Sequence, residues 1–404
     1  MSTNPGIEPS RLYGSDNALA HHYSRFRVTE RLLLTGHSHQ AWPDVGFEAQ
    51  QHAWLDAAEL VDEKWTRADE QASRVKDGFK RLLGDVDGEL ALGQNTHELV
   101  TRLLSALPLR ERPRLVTTAG EFHSIRRLLD RLEEVGLEVV RVAARPADSV
   151  AERMAATVDD RTACALVSSV FYETAEMAPH LDAVAAACTR HGAVLLVDAY
   201  HHLNAVPLDL REVGLDEAFV TGGGYKYCQL GEGNAFLRIP PHCRLRPVLT
   251  GWFSEFAARD EGVVPGQVRY GEGAARFAGA TYDPTSHYRA AAVFDFHAQM
   301  RLTPALLREV SQHQVGLLQT AFEALDVDPR IAHVEPIPAE RRAGFLALRS
   351  PQARRLSHAL RARGVLTDAR GVWLRLGPAP YLSDDQLREA VARLGDVIRL
   401  GEDH

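Results

Sequence analysis

Val194-Leu195-Leu196-Val197-Asp198-Ala199-Tyr200-His201, followed by Thr221-Gly222-Gly223-Gly224-Tyr225-Lys226-Tyr227, is the stretch on which the fold turns. Each half begins as an apolar run of strand length. The first ends in Asp198, and the second passes through glycines to Lys226. Similar short runs lie at 114–117, 138–142, 163–168, 217–221 and 234–239. Longer amphipathic segments predict helices over 46–60, 70–83, 97–107, 125–134, 147–157 and 181–191. Strands alternating with helices imply βαβ units and a mainly parallel sheet, that is, an α/β fold. Ligands of such sheets lie outside the carboxyl ends of the strands, where Asp198 and Lys226 fall.

After Pro284 the pattern changes. Helical stretches at 286–302 and 304–325 lead into a strand at 344–348, a helix at 351–363, a strand at 373–376 and a helix at 384–399, with Ser383 as its N-cap. The expected organisation is an N-terminal segment 1–45, a large domain 46–285, and a long linking helix with a small α+β domain over 286–404. The N-terminal segment is expected to join that small domain.

Composition narrows the class. The chain has 404 residues, 45% hydrophobic and 25% charged, as in globular proteins. A net charge of −8 leaves no basic excess for nucleic acid. Arg126, Arg127 and Arg131 are interleaved with acids and read as a solvated face. No run of about 20 apolar residues predicts a membrane span. The N-terminus has no apolar secretion region, and Cys164, Cys188, Cys228 and Cys243 form no CxxC pair. A reducing, cytoplasmic setting is expected.

Asp198 and Lys226 have a joint chemical logic. A carboxylate keeps the ring nitrogen of pyridoxal phosphate protonated, and a buried lysine reaches its aldehyde as an amine to form a Schiff base. Glycines before the lysine permit close backbone approach. The run is not a phosphate loop of the G-x-x-x-x-G-K-[ST] kind, and no GxGxxG follows the first strand.

At these residues the chain resembles the aspartate aminotransferase superfamily (fold type I) and, within its class V, the kynureninases. Their D-L-A-H motif reads Asp198-Ala199-Tyr200-His201, their S-Y-K-Y motif Gly224-Tyr225-Lys226-Tyr227, and their G-W-[WF] motif Gly251-Trp252-Phe253. The C-terminal pattern is matched by Gly364-Val365, Asp368-Ala369-Arg370 and Leu374-Arg375-Leu376-Gly377, ending at Pro380-Tyr381. The resemblance implies a sheet of the seven-stranded type flanked by helices, pyridoxal phosphate as cofactor, and a homodimer whose site is shared between subunits. It implies phosphate contacts from Asn95, Thr96, Tyr225, Trp252 and Thr281, the last two often across the dimer. It places Phe122 on the cofactor ring, Ser168 and Ser169 near the pyridine oxygen, and His201 beside the Asp198 carboxylate. Arg375 is expected to clamp the α-carboxylate of an amino-acid substrate, which suits a planar guanidinium. Tyr225 is the implied proton donor.

The sequence departs from the kynureninase pattern near the substrate. The opening motif reads Gly36-His37-Ser38-His39-Gln40, with histidines where the family has Asn and Leu. A basic residue is replaced by Glu173 in Phe171-Tyr172-Glu173-Thr174-Ala175. His37, Ser38 and His39 are therefore candidate substrate residues, and no metal is expected. The reading is a kynureninase-like hydrolase or lyase with a non-standard substrate. Alternatives are a class V aminotransferase, another biosynthetic enzyme performing elimination or C–C bond formation, and a non-catalytic ligand-binding protein. The last should have lost Lys226 or Arg375, and both are present.

Overall fold

A computed structural model describes residues 6–262 and 264–402. In chain order its strands are β1 (Leu32–Leu33), β2 (Glu89–Gly93), β3 (Arg114–Thr118), β4 (Glu138–Val142), β5 (Thr162–Ser168), β6 (Val194–Asp198), β7 (Phe219–Gly223), β8 (Ala235–Ile239), β9 (His333–Val334), β10 (Leu346–Arg349), β11 (Val365–Leu366), β12 (Asp368–Arg370) and β13 (Trp373–Leu376). The α-helices are α1 (Asp44–Leu60), α2 (Lys64–Leu82), α3 (Thr96–Ser105), α4 (His123–Glu134), α5 (Val150–Thr157), α6 (Leu181–His191), α7 (Thr285–Gln299), α8 (Pro304–Glu323), α9 (Ala353–Ala362) and α10 (Asp384–Glu402).

Seven strands form one sheet in the order β2-β8-β7-β6-β5-β3-β4. From β4 to β7 neighbours are parallel, and β8 alone runs against both of its partners. The reason lies in the two-residue period of strand side chains. Ala165, Val167, Leu195, Val197 and Val220 pack on one face with Phe79, Val150, Val184 and Ala291 of the helices. Cys164, Leu166, Leu196 and Phe219 pack on the other face with Leu99, Leu103, Ile125 and Leu129. Strands buried on both faces read as continuous apolar runs, which is how the sequence shows them.

Several elements depart from expectation. β2 was not foreseen: Glu89-Leu90-Ala91-Leu92-Gly93 is short, begins with an exposed acid and is positioned by pairing with the distant β8. The strand expected at 217–221 runs Phe219–Gly223, because Arg238 of β8 binds the carbonyls of Asp216 and Ala218 with its side chain. The helix expected over 147–157 opens as a 3-10 turn, Ala147–Ser149, before α5.

A second, antiparallel sheet, β12-β13-β10-β9, packs beneath α8, α9 and α10. Leu12, Leu19, Tyr23 and Val28 of the N-terminal segment share that core, and β1 pairs in parallel with β11. The Ser383 hydroxyl accepts from Gln386 N–H while the Gln386 side chain accepts from Ser383 N–H, a reciprocal cap on α10. No helix among the described residues is long and apolar enough to cross a membrane.

Phe79 is wholly buried between Phe236 of β8, 4.5 Å away between ring centroids, and Phe294 of α7, 5.3 Å away. Phe79→Ala is therefore expected to destabilise the fold by about 3–5 kcal/mol. Urea unfolding should show a lower midpoint, and an unchanged midpoint would disprove this packing.

Candidate active site

Strand register builds the floor of the site. Ser168 and Asp198 are Cα partners at the carboxyl ends of β5 and β6, and Thr221 of β7 is the partner of Asp198 on its other side. Beyond β7 the chain turns tightly, with Gly224 N–H donating to Asn234 O and Leu230 N–H donating to Gly224 O. Gly223 must be glycine because a Cβ there would strike the phenol of Tyr200. The turn delivers Lys226, only 4% exposed, into a box of rings. Its Nζ lies 4.6 Å from the Tyr200 ring centroid and 5.3 Å from that of Phe122.

Burial lowers the protonation of Lys226, Asp198 opposes that effect, and Arg375 and Arg370 reinforce it. The amine is thus inclined to be free, as a nucleophile or base requires. Asp198 is pushed the opposite way: burial raises its pKa, against a hydrogen bond from Tyr200 N–H (2.8 Å) and the charge of Lys226. A cation set before this carboxylate would restore its charge, and a protonated pyridine nitrogen is such a group.

His201 faces the lysine. Its ring nitrogens lie 2.8 and 3.3 Å from Lys226 Nζ, and the Asp198 carboxylate is bound by Tyr200 N–H instead. The position falls beyond the strand end, where the chain has begun to turn. Burial first, then Lys226, drives His201 well below its usual pKa, so it faces the amine as a neutral ring.

The remaining candidates divide. Asn95 caps α3 by accepting from Glu98 N–H at 3.0 Å, and Thr96 opens the helix. The first-turn N–H groups there lack helical partners, which suits a phosphate. Phe122 stands edge-on to Tyr172, 5.3 Å away, on the wall above Lys226. The Ser168 hydroxyl is bound to Glu121, and Ser169 Oγ donates to the Asp198 carbonyl. Both are thus engaged with the protein. Trp252 Nε1–H donates to Thr281 Oγ1 at 3.2 Å, and both residues are exposed. Tyr225 stacks on His39 with centroids 4.8 Å apart, and burial raises its pKa. His37 is fully buried against Phe345, Ser38 donates to Thr35 O, and His39 is exposed beside Glu232. Arg375, 2% exposed, donates to Tyr172 O and is paired with Asp368, its cross-strand neighbour.

Glu121 was not singled out from sequence, since a loop acid before an aromatic carries no periodic signature. It accepts from Thr118 Oγ1 (2.6 Å), Ser168 N–H (3.1 Å) and Ser168 Oγ (2.7 Å). Burial pushes its pKa up to about 7 from an ordinary 4.5, with the charge of Asp198 adding to the rise and the hydrogen bonds opposing it. The folded chain therefore binds this proton more tightly than the unfolded chain. Stability present below about pH 4.5 is lost as the pH rises towards about 7. Glu121→Gln is expected to remove that loss. Melting temperatures from pH 4.5 to pH 8 should show the wild type falling relative to the variant, and a constant difference across the range would refute the burial of a titrating acid here.

Residues 307–394 match the family model for the kynureninase C-terminal domain. The kynureninase of Pseudomonas fluorescens is 28% identical over 343 residues, covering 81% of this chain and 79% of its own. An uncharacterized aminotransferase of Bacillus subtilis is 23% identical over 332 residues, covering 81% of this chain and 84% of its own. In fold, the chain is similar to the apo cysteine desulfurase of Thermococcus onnurineus, with a TM-score of 0.78 at 15% identity over 99% of this chain and all of that one. A complex of the cystine C–S lyase C-DES with cysteine persulfide gives 0.76 at 16% identity, covering 91% of this chain and 97% of its own. Fold, lysine–carboxylate floor and relatives together define a pyridoxal-phosphate-dependent enzyme of fold type I. The relatives it resembles in sequence are kynureninases and an aminotransferase.

Proposed function

We propose that the protein is a kynureninase-like hydrolase or lyase that cleaves a bond in the side chain of an amino acid, with a non-standard substrate. The observation that carries this reading is the grouping of a buried amine, Lys226, with a buried guanidinium, Arg375, near enough for Arg375 to depress the protonation of Lys226. An amine to take the α-proton and a planar fork to hold the α-carboxylate are the two arms an amino acid needs.

When bound, pyridoxal phosphate supplies the electron sink that makes the α-proton removable. Asp198 would keep the proton on the ring nitrogen, Phe122 would cover the ring, and Asn95 with Thr96 would present the α3 N-terminus to the phosphate. Arg375 fixes the carboxylate and so aims the Cα–H bond at Lys226. Tyr225 retains its hydroxyl proton at neutral pH, because burial raises its pKa, and can deliver it to the substrate. His37, His39 and Glu173, which replace residues of the kynureninase pattern, together with Ser38 between the two histidines, support a different specificity. We further infer a cytoplasmic homodimer. The exposed Trp252–Thr281 pair, with Val248 at 78% exposure and Phe256 at 51%, supports a partner surface there. Trp252 and Thr281 would then serve the partner's phosphate site.

The Bacillus relative favours a second reading, transamination. Incubation with kynurenine, its ring-hydroxylated form and a panel of amino acids separates the two. Side-chain cleavage releases a truncated amino acid and a second fragment, found by mass spectrometry. Keto-acid release with conversion to the pyridoxamine form would replace the first reading by the second.

A further inference from the structure

His37 is 0% exposed, and neither of its ring nitrogens has a hydrogen-bond partner among the described residues. The backbone puts it there deliberately. Thr35 bridges Gly377 in parallel, Gly36 N–H donates to Gly377 O at 2.8 Å, and Gly377 N–H donates to Leu34 O at 2.9 Å. These bonds lay the N-terminal segment beside the end of β13, just past Arg375. Gly377 has to be glycine, since a Cβ there would overlap the His37 ring at Nδ1. Space has thus been made for an imidazole, with Nδ1 against Gly377 and Nε2 on the side of Asp368.

Nε2 stops 3.9 Å from Asp368 Oδ2, beyond hydrogen-bond distance. The same oxygen is paired with Arg375 Nη2, while Arg375 Nη1 donates to Tyr172 O at 2.6 Å and Arg375 Nε has no partner among the described residues. Two buried polar groups, Arg375 Nε and the His37 ring, are therefore unsatisfied next to each other in the pocket of Lys226. Leaving a buried polar group unpaired is costly, and a phenylalanine at position 37 would avoid that cost. A ligand oxygen that pairs with both groups accounts for their retention.

We propose that His37 binds the substrate carboxylate, its imidazole N–H donating to an oxygen held on the Nε edge of Arg375. This rests on the reading of Arg375 as carboxylate clamp and adds a second arm to it. A neutral donor suits the position: Arg375, Arg370 and Lys226 already crowd it with positive charge, and a further cation would be repelled.

The test uses cofactor-loaded protein, with isovalerate as a carboxylate probe lacking the reactive amine and isovaleramide as its uncharged match. Binding is measured by calorimetry, so turnover is not the readout. One hydrogen bond to a charged group amounts to a factor of roughly ten to a hundred. His37→Phe should weaken isovalerate by at least about tenfold and leave isovaleramide unchanged, and His37→Gln, which restores an N–H, should recover most of the loss. Should His37→Phe fail to fold, His37→Leu against His37→Gln carries the same comparison. Isovalerate binding as tightly to the folded Phe or Leu variant as to wild type, while Arg375→Lys loses it, overturns the role of His37 alone. If Arg375→Lys is also without effect, or wild type binds neither probe, the clamp reading falls with it.

Discussion

Lys226→Ala is expected to abolish the visible absorption band of the cofactor-loaded protein and to lower turnover by about a thousandfold or more. Two functions are lost in one side chain. The amine that bonds the cofactor aldehyde disappears, and so does the base that takes the α-proton, itself a contribution of about 10²–10⁴-fold. No neighbour replaces it: His201, 2.8 Å from Nζ, is a ring that burial keeps neutral and that cannot form the same bond to an aldehyde. The variant should still fold, because alanine removes a buried amine whose charge was already disfavoured there. A Lys226→Ala protein that kept both band and turnover would remove the basis of the mechanism.

Asp198→Asn should reduce turnover by about 10²–10³-fold with little change in fold, since the amide keeps the shape and can still accept from Tyr200 N–H. What goes is the charge that holds a proton on the ring nitrogen, and with it the electron sink. The sign of a second effect follows from the same geometry. Asp198 raises the protonation of Lys226, so removing its charge lets burial lower that pKa further. The pH at which the free Lys226 amine titrates in the cofactor-free variant, followed by its rate of labelling with an amine reagent, should therefore move down. Turnover equal to wild type, or a titration shifted upwards, would count against this assignment.

The sheet and its two functional ends were legible because parallel strands buried on both faces write continuous apolar runs, and the chemistry stands where those runs stop. Val194–Asp198 needed no knowledge of its neighbours to be found. β2 did, since its place depends on β8, far along the chain. Within the site the limit was of the same kind. That His201 faces Lys226 was not legible, because the direction of a side chain past a strand end depends on the following turn. Glu121 was missed because its partners, Thr118 and Ser168, belong to two different strands. His37 stood out as a departure from a motif, yet its closeness to Arg375 arises only from the bridge between Thr35 and Gly377.

The chain offers a direct test of its central claim, because it has only four lysines: Lys64, Lys76, Lys80 and Lys226. The other three lie on α2, and among them Lys76 is also lowered in pKa by burial, which makes it the natural competitor. Borohydride reduction of the cofactor-loaded protein fixes the cofactor to whichever lysine holds it, and peptide mass spectrometry reads the position. The mass of the reduced cofactor is predicted on the peptide containing Lys226. Its appearance on Lys76 or another lysine instead, or on none while the protein is demonstrably loaded, would contradict the account.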